Sequence, residues 1–226
     1  MRKEETVEAL RRSCVIAAVQ VPGEQQLVRA VAALAEGGVR AVEVPYATVR
    51  SVGWLIQTIK EAELLVGVGG ITRSPEARES GMLGADFITA AVTAPDVVAA
   101  CRDMVIPCIL TSLTPTEVWR AQEMEADFVK VPAGALGGPD YIRSLRETVA
   151  ARHLVGAEIP LKGYLTYLEA GVEVLEFKNS LALPELIEKE NWAEISRRAS
   201  KVASACDAWR ASHDRENPNR TSRPRS

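Results

Sequence analysis

Ala126-Asp127-Phe128-Val129-Lys130-Val131-Pro132-Ala133 is an apolar run of strand length with one lysine near its C-terminal end, and Gly134-Ala135-Leu136-Gly137-Gly138-Pro139 follows it. Side chains alternate between the two faces of a strand, so Phe128 and Lys130 share one face and Asp127, Val129 and Val131 the other. A near-continuous apolar run suits a parallel sheet covered on both sides. With the valines against helices, Lys130 points to the inner side. Burial disfavours the charged form of a lysine, which predicts a neutral amine here. A neutral amine attacks carbonyls to form a Schiff base.

Seven comparable runs surround this one: Cys14–Val19, Ala41–Val44, Leu64–Val68, Asp86–Thr89, Val105–Leu110, His153–Ala157 and Val172–Phe177. Pro107 lacks a donor, so the fifth run starts late or is irregular there. Helical segments separate the runs. A first helix covers Lys3–Arg12, and Glu24–Glu36 follows with Leu27, Val31 and Leu34 at helical period, closed by Gly37-Gly38. Further helices are expected over about Val49–Ala62, from Ser74-Pro75-Glu76, over Ala94–Arg102 and from the capping box Thr114-Pro115-Thr116-Glu117. The last three span about Pro139–Ala151, Leu161–Ala170 and Trp192–Trp209. Eight strands alternating with helices predict an α/β chain folded as a single (β/α)8 TIM barrel with an extra N-terminal helix, rather than an open doubly wound sheet. The barrel is expected over residues 1–211, with 212–226 a disordered polar tail rich in Asn, Pro, Ser and Arg.

Glu43 obeys the same alternation as Lys130. Val42 and Val44 face the helices, which leaves Ala41 and Glu43 inward. In a parallel barrel both strands open on one mouth, so Lys130 and Glu43 form a candidate nucleophile and proton shuttle. A structural ion pair of Glu43 with Arg40 or Arg50 is the alternative reading. Gly67-Val68-Gly69-Gly70 is a strand-end glycine cluster and not a dinucleotide fingerprint.

Composition removes other classes. A chain of 226 residues, 47% hydrophobic, fits one domain with a sizeable core. A net charge of −3 gives no reason to expect nucleic acid or an anionic membrane as partner. The charged Met1-Arg2-Lys3-Glu4-Glu5 start does not resemble a signal peptide, and no apolar stretch reaches bilayer length. Cys14, Cys101, Cys108 and Cys206 are dispersed, and His153 and His213 stand apart, so no metal spacing is present. A reducing cytoplasm is the expected compartment.

Ala35-Glu36-Gly37-Gly38-Val39-Arg40-Ala41-Val42-Glu43-Val44, Leu65-Val66-Gly67-Val68-Gly69, Gly84-Ala85-Asp86-Phe87, Phe128–Ala133 and Ala135-Leu136-Gly137-Gly138-Pro139 together resemble the 2-keto-3-deoxy-6-phosphogluconate / 4-hydroxy-2-oxoglutarate aldolases. The likeness runs in consistent order over about residues 5 to 205. It implies a class I aldolase on a trimeric barrel, acting on a small-molecule 2-keto acid without cofactor. Lys130 falls on that family's Schiff-base lysine and Glu43 on its proton-transferring glutamate. The sequence also departs from the pattern. Ala47 stands where the resemblance implies a carboxylate-gripping arginine, and Gly67-Val68-Gly69-Gly70 lacks a substrate-binding threonine. Gly156-Ala157-Glu158-Ile159 replaces a Thr-Gly-Gly phosphate loop, and Phe177-Lys178-Asn179-Ser180 keeps only the serine of the loop after strand eight. A carboxylate at Glu158 repels phosphate, which points to an altered, nonphosphorylated substrate. Gly69, Gly70, Thr72, Glu158, Lys178 and Ser180 are the expected substrate-binding residues. Lys178 and Glu158 also suit an ion pair between adjacent strand ends. Two other readings stay open: a noncatalytic metabolite-binding or structural barrel, and a Lys/Glu-dependent decarboxylase, dehydratase or isomerase on the same fold.

Overall fold

The computed structural model describes residues 2–21 and 23–216. Eight parallel strands close in sequence order: β1 (Val15–Ala18), β2 (Ala41–Pro45), β3 (Leu65–Ile71), β4 (Phe87–Ala90), β5 (Cys108–Thr111), β6 (Phe128–Val131), β7 (Leu154–Gly156) and β8 (Val174–Lys178), with β8 pairing back to β1. This is the (β/α)8 barrel expected. Strand β5 begins directly after Pro107, where the missing donor no longer matters.

Two concentric apolar sets hold the barrel. One lies between strands and helices and includes Val42, Val44, Val66, Val68, Val129 and Val131. The other fills the lower interior: Ile16, Ala41, Leu65, Phe87, Ile109, Phe128, Val155 and Val174, one from each strand. Helix α1 (Lys3–Ser13) adds Val7 and Leu10 to this inner set and so plugs the N-terminal mouth. Two residues further along each strand, alternation returns a side chain to the interior. That next layer reads Ala18, Glu43, Gly67, Thr89, Thr111, Lys130, Ala157 and Glu176. Its polar members face the C-terminal mouth, where barrel enzymes carry out their chemistry.

The helical layer follows the expected order, with three differences. Residues 46–60 form two short helices, α3 (Tyr46–Ser51) and α4 (Leu55–Lys60), and not one. The turn between them contains Gly53, whose missing side chain weakens a helix interior. After α5 (Ser74–Met82), α6 (Pro95–Asp103), α7 (Pro115–Glu123), α8 (Gly138–Val149) and α9 (Leu165–Glu169) comes a short helix that periodicity does not predict, α10 (Pro184–Glu188). Finally α11 (Trp192–Glu216) continues past Trp209, so residues 212–216 are helix and not tail. No glycine or proline interrupts that stretch, and the His213 ring stacks on Trp209 at 4.0 Å between centroids. The rest of the expected tail, 217–226, lies outside the described residues. Helix α2 (Glu24–Glu36) packs beside α11 and completes the ring.

Candidate active site

The upper interior layer converges on Lys130. Its Nζ lies 3.2 Å from Oε1 and 3.4 Å from Oε2 of Glu43, reaching across the barrel from β6 to β2. On its other side Nζ pairs with Oε2 of Glu176, from β8. All three side chains are largely withdrawn from solvent, at 12% exposure for Lys130, 10% for Glu43 and 3% for Glu176. Thr89 on β4 donates its hydroxyl to Glu43 Oε2 at 2.6 Å. The glutamate is thereby gripped from two directions. Its partner is Lys130, not Arg40 or Arg50.

The strand-end glycines make room for this arrangement. A Cβ on Gly69 would overlap the Glu43 carboxylate, so only glycine at this position lets that group reach Nζ. Gly70 has φ +79°, in the left-handed region, and marks the register shift between Val68 and Ile71.

Electrostatics correct one expectation, that of a neutral Lys130. Burial does penalise the ammonium, but the charges of Glu43 and then Glu176, with their hydrogen bonds, outweigh it and hold the amine above an ordinary lysine. The resting nitrogen is therefore an ammonium. The surplus shows on the acid side: burial and then the like charge of Glu43 push the Glu176 carboxyl up to about 7, against the pull of Lys130 and Lys178. Two carboxylates facing one cation in a poorly solvated space cannot both be well compensated.

A pocket of about 320 Å³ opens above this cluster. Glu43, Gly69, Gly70, Lys130, Glu158, Glu176 and Lys178 all line it. That volume is at the small end for ligand sites and suits a short substrate. At the rim Lys178 Nζ stands 3.6 Å from Glu158 Oε1, the ion pair between adjacent strand ends that the sequence suits. Glu158 and Asn179 both have left-handed backbone, φ 59° and 57°. Gly134 presses so closely on the Glu158 carbonyl that a Cβ would collide with it.

Two expected binding residues point elsewhere. Thr72 donates its backbone N–H and hydroxyl to Glu76, 2.8 and 3.1 Å away, and so serves the start of α5. Ser180 donates its hydroxyl to the Ile159 carbonyl at 3.1 Å. Neither lines the pocket; both are spent on backbone structure. Conversely, Glu176, Thr89, Thr111 and Gln20 line the pocket although sequence reasoning does not single them out. A signal for Glu176 exists: a carboxylate between Leu175 and Phe177 in an apolar strand, the pattern that marks Glu43.

Comparison with known proteins fits this geometry. The family model described as "Aldolase: KDPG and KHG aldolase" matches residues 6–198, most of the chain. This chain belongs to the KDPG and KHG aldolase family. A 2-dehydro-3-deoxy-phosphogluconate aldolase of Treponema pallidum (strain Nichols) is 31% identical over 164 residues, which cover 71% of this chain and 78% of that one. Among solved structures, a KDPG aldolase from Legionella pneumophila with pyruvate captured as a covalent carbinolamine superimposes with a TM-score of 0.78 at 21% identity, over 87% of this chain and 97% of that one. A 2-keto-3-deoxy-6-phosphogluconate aldolase of Zymomonas mobilis ZM4 gives 0.77 at 16% identity, over 89% and 96%. At those identities the structural likeness bears on the fold alone. Membership of the family makes the chain an aldolase-type lyase. Among the described residues, no group of three His, Cys, Asp or Glu side chains is placed to hold a metal ion, and no helix is long and apolar enough to cross a membrane.

Proposed function

We propose that this aldolase-family chain is a class I, Schiff-base lyase that cleaves a short, nonphosphorylated 4-hydroxy-2-keto acid. The observation that carries the reading is the contact between Lys130 Nζ and the Glu43 carboxylate inside the C-terminal mouth of the barrel. The captured carbinolamine of the Legionella protein supports it by analogy.

The ammonium of Lys130 first gives a proton to a carboxylate, and the freed amine attacks C2 of the substrate. The C2–N bond forms, the former carbonyl oxygen leaves as water, and a protonated imine remains. Glu43 takes the proton of the C4 hydroxyl. The C3–C4 bond breaks, its electrons move through C3 to the imine nitrogen, and an aldehyde departs. Protonation at C3 and hydrolysis return pyruvate and the free lysine. Gly69 and Gly70 line the substrate's side of this pocket, and Lys178 offers a cation to its carboxylate from the rim. Glu158, half-exposed beside Lys178, opposes a phosphate there by charge. Thr72 and Ser180 are left out of this binding set because their hydroxyls face Glu76 and the Ile159 carbonyl. The proposed assembly is a homotrimer in the cytoplasm, where a reducing medium suits buried thiols such as Cys101, Cys108 and Cys206. Sedimentation at three times the 24.5 kDa chain mass is the expected result.

The test is release of pyruvate from a panel of 4-hydroxy-2-keto acids with and without a terminal phosphate. The expected result is turnover that favours the nonphosphorylated members and is abolished in Lys130→Ala. Turnover surviving in Lys130→Ala, or a preference for the phosphorylated members, contradicts the proposal.

A further inference from the structure

Forming an imine from a lysine ammonium and a ketone moves two protons off one nitrogen. The ammonium must lose one before it can attack, and the adduct nitrogen must lose another before water leaves. Both end on the departing oxygen, so charge and atoms balance: R–NH3+ and a ketone become a protonated imine and water. A single carboxylate beside the nitrogen would have to serve twice.

Here two carboxylates flank the same nitrogen. Glu43 approaches from β2 and Glu176 from β8, on either side of Lys130 Nζ. Glu176 is buried, and it shares the pocket with Glu43, Lys130 and Lys178. Its neighbours explain why it reaches the centre. Leu175 and Phe177 pack outward against the helices, Ile16 pairs with it across β1, and its alternation partner Val174 fills the layer below. The charged groups that face it are Lys130 from β6, Glu43 from β2 and Lys178 from its own strand. The flanking strands β1 and β7 bring Ala18 and Ala157 to its level and no charge. A buried acid whose contacting cation, Lys130, is shared with Glu43 is a poor stabilising element, because its desolvation is not fully offset.

We infer that Glu176 is a second catalytic carboxylate, which accepts the first proton from the Lys130 ammonium and delivers it to the departing oxygen, leaving Glu43 to accept the second and to serve the C4 hydroxyl. The inference rests on the Schiff-base reading above and adds a division of labour to it. The elevated titration of Glu176, about 7, fits a group that exchanges protons near neutrality.

The test is the rate at which borohydride traps pyruvate, the smallest 2-keto acid, on Lys130, followed by intact mass from pH 5 to 9. Wild type, Glu176→Gln and Glu176→Asp are compared, with circular dichroism to establish that each is folded. The expected result has three parts. Wild type is trapped at a rate that rises through pH about 7. Glu176→Gln is slower by about 100-fold or more and lacks that rise. Glu176→Asp recovers the rise and part of the rate, which a merely structural role would not produce. If wild type is trapped and Glu176→Gln matches it in rate and profile, the role of Glu176 is overturned while the Schiff-base reading stands. Should Glu176→Gln not fold, an aspartate variant that traps slowly without the pH-dependent rise overturns it equally. Wild type that is never trapped on Lys130 removes both readings together.

Discussion

Gly69 shows how little space the central pair has. Any Cβ there overlaps the Glu43 carboxylate, so Gly69→Ala must push that group away from Lys130. A displacement of about 1 Å near reacting atoms can cost about 100-fold in rate. Gly69→Ala is therefore expected to lower lyase turnover by about that factor while the circular dichroism spectrum stays that of wild type; unchanged turnover would show that Glu43 need not sit where it does. Glu176 makes a stability prediction of the opposite sign. Its folded-state carboxyl titrates at about 7 against an ordinary 4.5, so between those values the folded chain holds a proton that the unfolded chain has lost. Stability contributed by this group is thus present below about 4.5 and declines as pH rises through about 7. Glutamine carries no such titration and leaves Lys130 and Glu43 as a neutral pair. Glu176→Gln should melt at a higher temperature relative to wild type at pH 8 than at pH 5. An equal difference at both pH values in thermal melts would mean that the acid is not held protonated by the fold.

Among the elements, α1 has the most to do with the site without touching it. Its Leu10 is fully buried among Ile16, Phe87 and Phe128 and closes the barrel floor beneath Lys130. Arg11 ties the helix to Glu173, just ahead of β8, at 2.8 Å. Leu10→Ala is expected to cost about 2–5 kcal/mol of unfolding free energy in urea denaturation, the range for a buried leucine. A loss under about 1 kcal/mol would mean that α1 is only loosely docked. Strands are the legible part of this sequence. Each is a short, near-continuous apolar run, and in β2 and β6 the valines on either side of Glu43 and Lys130 turn those two side chains inward by alternation. Helix limits are less legible. Gly53 splits an apparently continuous periodic segment, and the final helix gains a stacked turn at His213 that composition does not reveal. Charge state is the hardest to read. Burial of Lys130 follows from its strand, but the sign of its shift depends on Glu43 and Glu176, which come from β2 and β8 and meet it only when the barrel closes. Thr72 and Ser180 mislead for a related reason: hydroxyls at strand ends also cap helices and bind carbonyls, and sequence does not say which.

Across the whole molecule, Lys130, Glu43 and Glu176 meet inside one mouth of the barrel, and Glu158 and Lys178 pair on its rim. Glu158 carries a left-handed backbone, a conformation that costs a non-glycine residue about 1–2 kcal/mol. Glu158→Gly is expected to relieve that strain, remove the repelling charge and shift the ratio of kcat/KM values towards phosphorylated keto acids. An unchanged ratio in competition assays would clear Glu158 of any part in substrate choice. Deeper in the pocket, everything depends on whether the Lys130 nitrogen bonds to carbon. The direct measurement is a diffraction structure of crystals soaked in pyruvate. The account predicts continuous density from Lys130 Nζ to C2 of the ligand, with Glu43 and Glu176 on either side. Pyruvate resting in the pocket unbonded, with Lys130 still paired to both carboxylates, would contradict it.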